Sequence, residues 1–518
     1  MPNGAYALIR TLVGAGVDTC FTNPGTSEIY VVAALDSVPE MRAVLTLFEG
    51  VATGAADGYA RMADAPAATL LHLGPGLGNG LANLHNARRA RVPVVNIVGD
   101  HATYHTRFDT PLQSDIETVA RNVSTWVRTS RTADELPLDA VEAIAAAMGP
   151  PGQVATLIVP ADVSWHDGAE PAAPLEPAAA SVVAGETVEE VAKALRGSGR
   201  KGMLLGGQAL RERGLLAAAR IAAVTGTRLF AERNVARLER GAGLPAVERL
   251  AYWPELVLKQ LDGLQHLILA GTAAPRSSFA YEGKDSSLVP PGCEAHGFAP
   301  PIADVVRSLE DLVEALDAAD ATPALQSELV PPRPSGPLTA EKVCQAVGAT
   351  LPEGAILSDE ALTSALALPS STAGSPRHDW LTLTGGAIGQ GLPVAVGAAI
   401  ACPHRPVIAL QADGSALYTI QSLWTMAREQ LDVTVVIFNN RAYSILKTEF
   451  ERIGVQEAGP KAQAQVELGN PNIDFVALGT GLGISSRRVD TAEQLTGVLE
   501  QAVADPGPHL IETVIPGV

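Results

Sequence analysis

Long apolar runs, basic clusters and paired cysteines are all missing from this sequence, and each absence removes a class of function. Among its 518 residues no apolar stretch approaches the roughly 18–20 residues that a bilayer-spanning helix needs. The start, MPNGAYALIRTLVGAG, has neither a basic leader nor a small-residue cleavage site. The expectation is a cytoplasmic protein with no membrane partner. Lys and Arg number 37 against 56 Asp and Glu, a formal charge of −19, and the densest basic block is the single turn RRAR. Nucleic acid is therefore not expected as a partner, although local cations could still hold a small organic anion. The four cysteines, Cys20, Cys293, Cys344 and Cys402, have no paired spacing, which argues for reduced, buried thiols and against a disulfide framework or a thiolate zinc site. No Gly-x-x-x-x-Gly-Lys-Ser/Thr loop and no short-period repeat occurs, so a P-loop nucleotide binder and a solenoid are both set aside.

What is present is enough apolar material for two to four domains. Two Pro- and Ala-rich stretches, residues 167–186 and 321–341, read as linkers. They separate segments 1–166, 187–320 and 342–518. Each segment alternates short apolar runs (AATLLHL, VPVVNIVGD, KGMLLGG, HLILAG, PVIALQADG, VTVVIFNN) with Ala-rich amphipathic stretches. That rhythm predicts α/β architecture: three doubly wound parallel sheets covered on both faces.

In such sheets ligands sit beyond the carboxyl ends of the strands. Residues 406–414 read as a strand, SALYTIQSLWTMAREQ as the following helix, and residues 433–440 as the next strand. A right-handed crossover makes the two strands parallel, so Asp413 and Asn439-Asn440 emerge at one sheet edge, with Asp413 and Asn440 27 positions apart. Taken singly, Asp-Gly-Ser could merely cap a helix and Asn-Asn merely make a turn. Taken together, a carboxylate, an amide oxygen and a nearby carbonyl form a hard-oxygen set suited to Mg2+. Gly414 lets backbone come close, and Ser415 opens a helix whose free N–H groups favour a diphosphate.

This arrangement resembles the thiamine-diphosphate (ThDP) enzymes, whose mark is Gly-Asp-Gly followed at such an interval by Asn or Asn-Asn; Ala412 replaces the first Gly. The resemblance implies Mg2+ held by Asp413, Asn440 and the carbonyl of Ala442, with Gly414 and Ser415 at the diphosphate and Tyr443 beside the cofactor. It also implies a carboxylate at N1′ of the aminopyrimidine, which drives the 4′-amino group into the imino form that removes the C2 proton. The line MRAVLTLFEGVATGAADGYARMAD supplies Glu49 and the family's Asp57-Gly58-Tyr59-Ala60-Arg61; outside that context Glu49 would pass as an ordinary helix-start carboxylate. By the same resemblance Asn23, Pro24, Gly25, Thr26 and Asn79 line the cofactor. Gly385 and Gly386 approach the aminopyrimidine, and Ile388 wedges the cofactor into its bent form. The early turns of the helix from about Gly50 to Arg61 are almost all Gly, Ala and Thr, which predicts a close backbone contact, expected here between subunits. The family's active sites lie between chains, so a homodimer is the smallest active unit expected, Glu49 and Asp413 serving one cofactor from different chains.

The likeness runs through nearly the whole chain in the order pyrimidine-binding, middle and diphosphate-binding domain, shared by acetolactate synthases and benzoylformate decarboxylases. Gly74-Pro75-Gly76 looks like the synthases, whereas His72 stands where benzoylformate decarboxylase carries a catalytic histidine; a lone strand-end histidine can equally be structural. The loop VGDHATYHTRFDTPLQSDIE adds His101, His105 and Gln113. His101 and His105 stand at i, i+4, but without a helical pattern or a third ligand zinc is not expected there. The resemblance makes His105 a second catalytic candidate and places Thr26, His72, Gln113 and Leu446 near substrate. Departures also count. The Asn-Asn pair leads into RAYSILKTEFERIG rather than the synthases' Gly-Met run, and of their FAD-binding Arg-Phe-Asp-Asp-Arg stretch only Arg276 remains, so no FAD is expected. The decarboxylase's second histidine is replaced around Ala280. The expected activity is ThDP- and Mg2+-dependent decarboxylation of a 2-oxo acid, pyruvate being the default donor, with coupling of the resulting enamine to a second carbonyl compound. The alternatives are simple decarboxylation to an aldehyde and, in another class, a non-catalytic ThDP-binding relative.

Overall fold

A computed structural model describes residues 3–516. The chain divides into two compact units: one runs to Ala178 and resumes over Val330–Thr372 and from Leu381, the other comprises Ala179–Leu329 and Ala373–Trp380.

The first unit holds two sheets. Strands Thr19–Asn23 (β1), Arg42–Leu45 (β2), Ala67–Leu71 (β3), Val94–Asp100 (β4), Trp126–Thr129 (β5) and Val154–Pro160 (β6) form a sheet of order β2-β1-β3-β4-β6-β5, parallel throughout. β3 and β6 are buried at every position, as continuous apolar strands covered on both faces must be. In the second unit, Arg200–Leu205 (β7), Arg228–Ala231 (β8), Glu248–Arg249, Leu264–Ala270 and Glu294–Ala299 make a five-stranded sheet, and Leu238–Arg240 (β9) lies outside it, paired antiparallel with residues 378–380. In chain order the last three of that sheet are β10, β11 and β12, and the order is β10-β8-β7-β11-β12. Back in the first unit come Ile356–Glu360 (β13), the end of His378–Thr382 (β14), Val407–Ala412 (β15), Val433–Asn439 (β16), Ser485–Val489 (β17) and His509–Val514 (β18). Here β17, β18, β16, β15 and β13 are parallel neighbours in that order. All six apolar runs picked out above are strands, and the α/β class with three parallel sheets is what the sequence predicts.

The two linker stretches carry no regular strand or helix over residues 168–180 and 321–328. Their flanks are pinned by isolated bridges, Asn3 to Asp167 and Pro337 to Thr491 in the first unit, and Ser181 to Ala303 in the second.

Three expectations need correction. The helix expected after β15 is broken into Asp413–Ala416 and Ser422–Arg428; Thr419, in the break, donates its hydroxyl to the carbonyl of Gly389, a tertiary bond taken in place of helical continuity. The Gly/Ala face of the helix Glu49–Ala63 is covered from within the same chain by the helix Gly391–Ala401. A Cβ on Gly397 would stand 1.9 Å from the carbonyl oxygen of Ala55, so only glycine permits this contact. A close backbone approach was foreseen; its partner is the chain itself. The cysteines are free as expected, but only Cys20 and Cys344 are buried, Cys293 and Cys402 being half-buried. Burial pushes the thiols of Cys20 and Cys344 up to about 12, so neither is a nucleophile at neutral pH.

Candidate active site

Parallel pairing carries the carboxyl ends of β1, β2, β3 and β4 to one edge of the first sheet, and the predicted residues collect there. Asn23 ends β1, Thr26 opens a short turn of helix, Glu49 starts the helix after β2, and His72 follows β3. Glu49 is buried, and its Oε2 accepts a hydrogen bond from Asn79 Nδ2 at 3.0 Å. Its other oxygen faces Gly76, where an added Cβ would lie 3.1 Å away. Two neighbouring side chains, those of Thr26 and Asn79, are exposed. Asn23 turns aside to donate to the carbonyl of Thr46.

His72 is held from behind. Its Nδ1 lies 2.8 Å from Oε2 of Glu28, which also accepts the N–H of Gly25 at 2.7 Å. The ring fits only because residue 25 is glycine: a Cβ there would fall 2.3 Å from Nδ1. Burial pushes the Glu28 carboxyl above its ordinary range, opposed by Gly25 and His72, and its Oε1 is buried with no hydrogen-bond partner. Leu73, next in the chain, has φ +56°, a left-handed conformation costing a side-chain-bearing residue about 1–3 kcal/mol. Ser114 lies against Gly74, which brings the Gln113-Ser114 turn to the start of the same helix. His105 sits further out in the loop after β4, its ring 5.5 Å from those of both His101 and Phe108.

A second cluster forms at the carboxyl edge of the other sheet of this unit. Asp413 is buried, and both its oxygens are met by peptide N–H groups, Gly414 at 2.8 Å and Arg441 at 2.6 Å, rather than by a basic side chain. Burial raises its acid above the usual carboxylate range. Arg441 takes a positive φ of 59° to reach it. Asn440 Oδ1 accepts the N–H of Ala442, and its Nδ2 donates to Ser444 Oγ. The Tyr443 ring lies against Gly414. Ser415 Oγ accepts from Gln411 Nε2 at 2.7 Å, Gly386 and Ile388 lie on the loop before the Gly391 helix, and Leu446 is 44% exposed.

Two family descriptions match the chain: "Thiamine pyrophosphate enzyme, N-terminal TPP binding domain" over residues 2–121 and "Thiamine pyrophosphate enzyme, C-terminal TPP binding domain" over residues 367–513. The chain belongs to the thiamine pyrophosphate enzymes. It is 56% identical over 519 residues, 99% of each chain, to a Mycobacterium tuberculosis protein named "Putative acetolactate synthase large subunit IlvX". It is 29% identical over 545 residues, 98% of each, to benzoylformate decarboxylase of Pseudomonas aeruginosa. The fold matches that of a thiamine-diphosphate-dependent 4-hydroxybenzoylformate decarboxylase from Rhodococcus jostii RHA1, with TM-score 0.87 and 24% identity over 100% of this chain and 99% of that one. This is a thiamine-diphosphate-dependent enzyme of the acetolactate synthase and benzoylformate decarboxylase type.

The donor set of this thiamine pyrophosphate enzyme fits a divalent cation and a diphosphate. A buried carboxylate without a basic counter-ion, beside an amide oxygen and backbone carbonyls, is stabilised by a hard cation. Two carboxylates escaped the sequence reading. Glu28 carries no local motif that singles it out. Glu360, at the end of β13, accepts N–H bonds from Gly389 and Gly391 at 2.6 Å each and from Gln411 Nε2 at 2.9 Å. It thereby fixes the Gly386 and Ile388 loop to the strand that leads into Asp413. Its acid is pushed up to about 7 because burial outweighs those donors. The folded chain keeps a proton that the unfolded chain gives up near pH 4.5, so this contribution to stability is complete below that pH and is lost as the pH rises through about 7. Between these limits the wild type is expected to lose roughly 3 kcal/mol more unfolding free energy than Glu360→Gln. Urea titrations at several pH values measure it, and parallel pH profiles would refute it.

Proposed function

We propose that this enzyme decarboxylates a 2-oxo acid without oxidation and releases an aldehyde, RCOCOO⁻ + H⁺ → RCHO + CO2. The observation that carries this reading is the Glu28–His72 pair. With Nδ1 committed to the Glu28 carboxylate, Nε2 is the ring nitrogen left to exchange a proton with substrate. Bound ThDP supplies the nucleophilic carbon and the electron sink for the departing CO2. Asp413, Asn440 and the Ala442 carbonyl hold Mg2+ in our assignment, and Gly414 and Ser415 meet the diphosphate. Glu49 keeps a proton at N1′ of the aminopyrimidine, with Asn79 orienting its carboxylate. His72 delivers the proton that replaces CO2 on the substrate carbon. His105 and Gln113 border the substrate from the loop after β4.

The active site is assigned to a homodimer interface. Tyr418 is 53% exposed, and Leu47, Leu417 and Leu446 are also open; these apolar side chains neighbour Glu49, Ser415 and Tyr443 in sequence, as a site completed by a second chain requires. Carboligation, as in an acetolactate synthase, is the second reading, favoured by the mycobacterial relative's name and by the Gly74-Pro75-Gly76 loop. Turnover of a panel of 2-oxo acids with ThDP and Mg2+ separates the two. The expected result is one aldehyde per CO2 in the wild type. In His72→Phe, turnover is expected to fall roughly 10²–10⁴-fold. A 2-hydroxy ketone or 2-hydroxy-2-keto acid as the main product would overturn the decarboxylase reading.

A further inference from the structure

In the middle sheet, β11 and β12 run parallel, with His266 opposite Glu294 and Ile268 opposite His296. Alternation along a strand puts Glu294 and His296 on one face of β12, and the His266 side chain meets both. His266 Nδ1 lies 3.0 Å from His296 Nε2, and Glu294 Oε2 is 3.7 Å from each of these nitrogens. A circle through three points so spaced has a radius of about 2.0 Å, the length of a zinc–nitrogen or zinc–carboxylate bond. A single imidazole–imidazole hydrogen bond accounts for the 3.0 Å separation, but not for a carboxylate oxygen equidistant from both nitrogens.

We propose that His266, Glu294 and His296 form a three-ligand site for a divalent transition metal of the zinc class, which staples the edge strand β12 to β11. Two imidazoles and a carboxylate favour zinc, nickel or copper over magnesium, which prefers oxygen ligands. The imidazoles are half-buried and the carboxylate side chain is 67% exposed, so one side stays open for water as a fourth ligand. Glu190 adds negative charge towards His296. Cys293, just before β12, packs against the apolar cluster of Leu264, Leu267 and Leu269 and is no ligand. The strand gains a tie at an edge that otherwise has a neighbour on one side only.

The test is ZnCl2 titration of the full-length, chelator-treated protein by calorimetry in excess Mg2+ with ThDP present, followed by metal analysis after dialysis. One Zn2+ per chain is expected. In His266→Gln and His296→Gln the affinity should drop by more than the roughly 10-fold to 100-fold typical of losing an outer-shell partner. Co2+ should give visible d–d bands in the wild type that both variants lack, and Zn2+ should raise the melting temperature of the wild type alone. Glu294→Gln, an exposed change that leaves packing intact, should weaken binding several-fold and keeps the test decisive where a histidine variant fails to fold. The proposal is overturned by wild-type protein that takes up no zinc, or by equal zinc stoichiometry and affinity in the wild type and these variants.

Discussion

Glu49→Gln is expected to lower turnover roughly 10²–10⁴-fold while the chain stays folded and the coenzyme stays bound. Glutamine preserves the size of the side chain and can still accept from Asn79 Nδ2, which now bonds Glu49 at 3.0 Å. It also fits beside Gly76, where the clearance for a side chain is small. What it cannot do is take and return a proton, so the loss falls on the chemical step and not on binding, which our assignment anchors at Asp413 and Ser415. Calorimetric ThDP affinity should therefore be nearly unchanged, and hydrogen–deuterium exchange at the thiazolium carbon should slow in step with turnover. Near-wild-type turnover would remove the proposed role of Glu49.

The same variant tests whether sites are shared between chains. In the proposed homodimer, mixing it with Asp413→Asn yields heterodimers. If each site takes Glu49 from one chain and Asp413 from the other, one site of the heterodimer carries both lesions and the second carries neither, so activity returns on mixing two inactive proteins. If each site belongs to a single chain, every site keeps one lesion and mixing restores nothing.

Much of this site was legible because its signals are local. Glu49 and Asp57-Gly58-Tyr59-Ala60-Arg61 share one helix, and the handedness of a strand–helix–strand unit places Asp413 beside Asn440 without further knowledge. Glu28 and Glu360 were not legible, since each acquires its meaning from chain-distant partners. Glu28 becomes an orienting group only when β1 and β3 pair and bring His72 to it, and Glu360 only when the Gly389 loop folds over β13. The zinc-class triad of His266, Glu294 and His296 depends on strand register, which no local pattern announces. The interrupted helix after β15 shows the converse: amphipathic spacing predicts one helix over residues 415–430, but the Thr419 hydroxyl bonds the Gly389 carbonyl and a tertiary contact overrides local preference. The small face of the Glu49 helix correctly announces close packing, because glycine and alanine specify distance. They do not specify a partner.

The largest stability effect is expected at the buried Asp57–Arg61 pair. Asp57 and Arg61 have fully buried side chains joined by two hydrogen bonds, Nε to Oδ1 at 2.8 Å and Nη2 to Oδ2 at 2.7 Å. Arg61 also donates to the Thr382 carbonyl and the Thr384 hydroxyl, and Gln390 Nε2 donates to Asp57. The pair thus ties the helix that begins with Glu49 to both ends of the loop bearing Gly386 and Ile388. Asp57→Ala strands a guanidinium in a closed interior, for which about 3–5 kcal/mol of unfolding free energy is expected to be lost. Removing both charges avoids that stranded cation, so Asp57→Leu with Arg61→Met should recover a large part of the loss, short of the whole because the Thr382 carbonyl loses the Arg61 donor and the Gln390 amide loses the Asp57 acceptor. Urea unfolding of the two variants and the wild type makes the comparison. A loss within roughly 1 kcal/mol for Asp57→Ala, the size of an ordinary substitution, would show that the buried charge finds other support, and a double variant no more stable than the single one would show that packing, not the stranded charge, sets the cost.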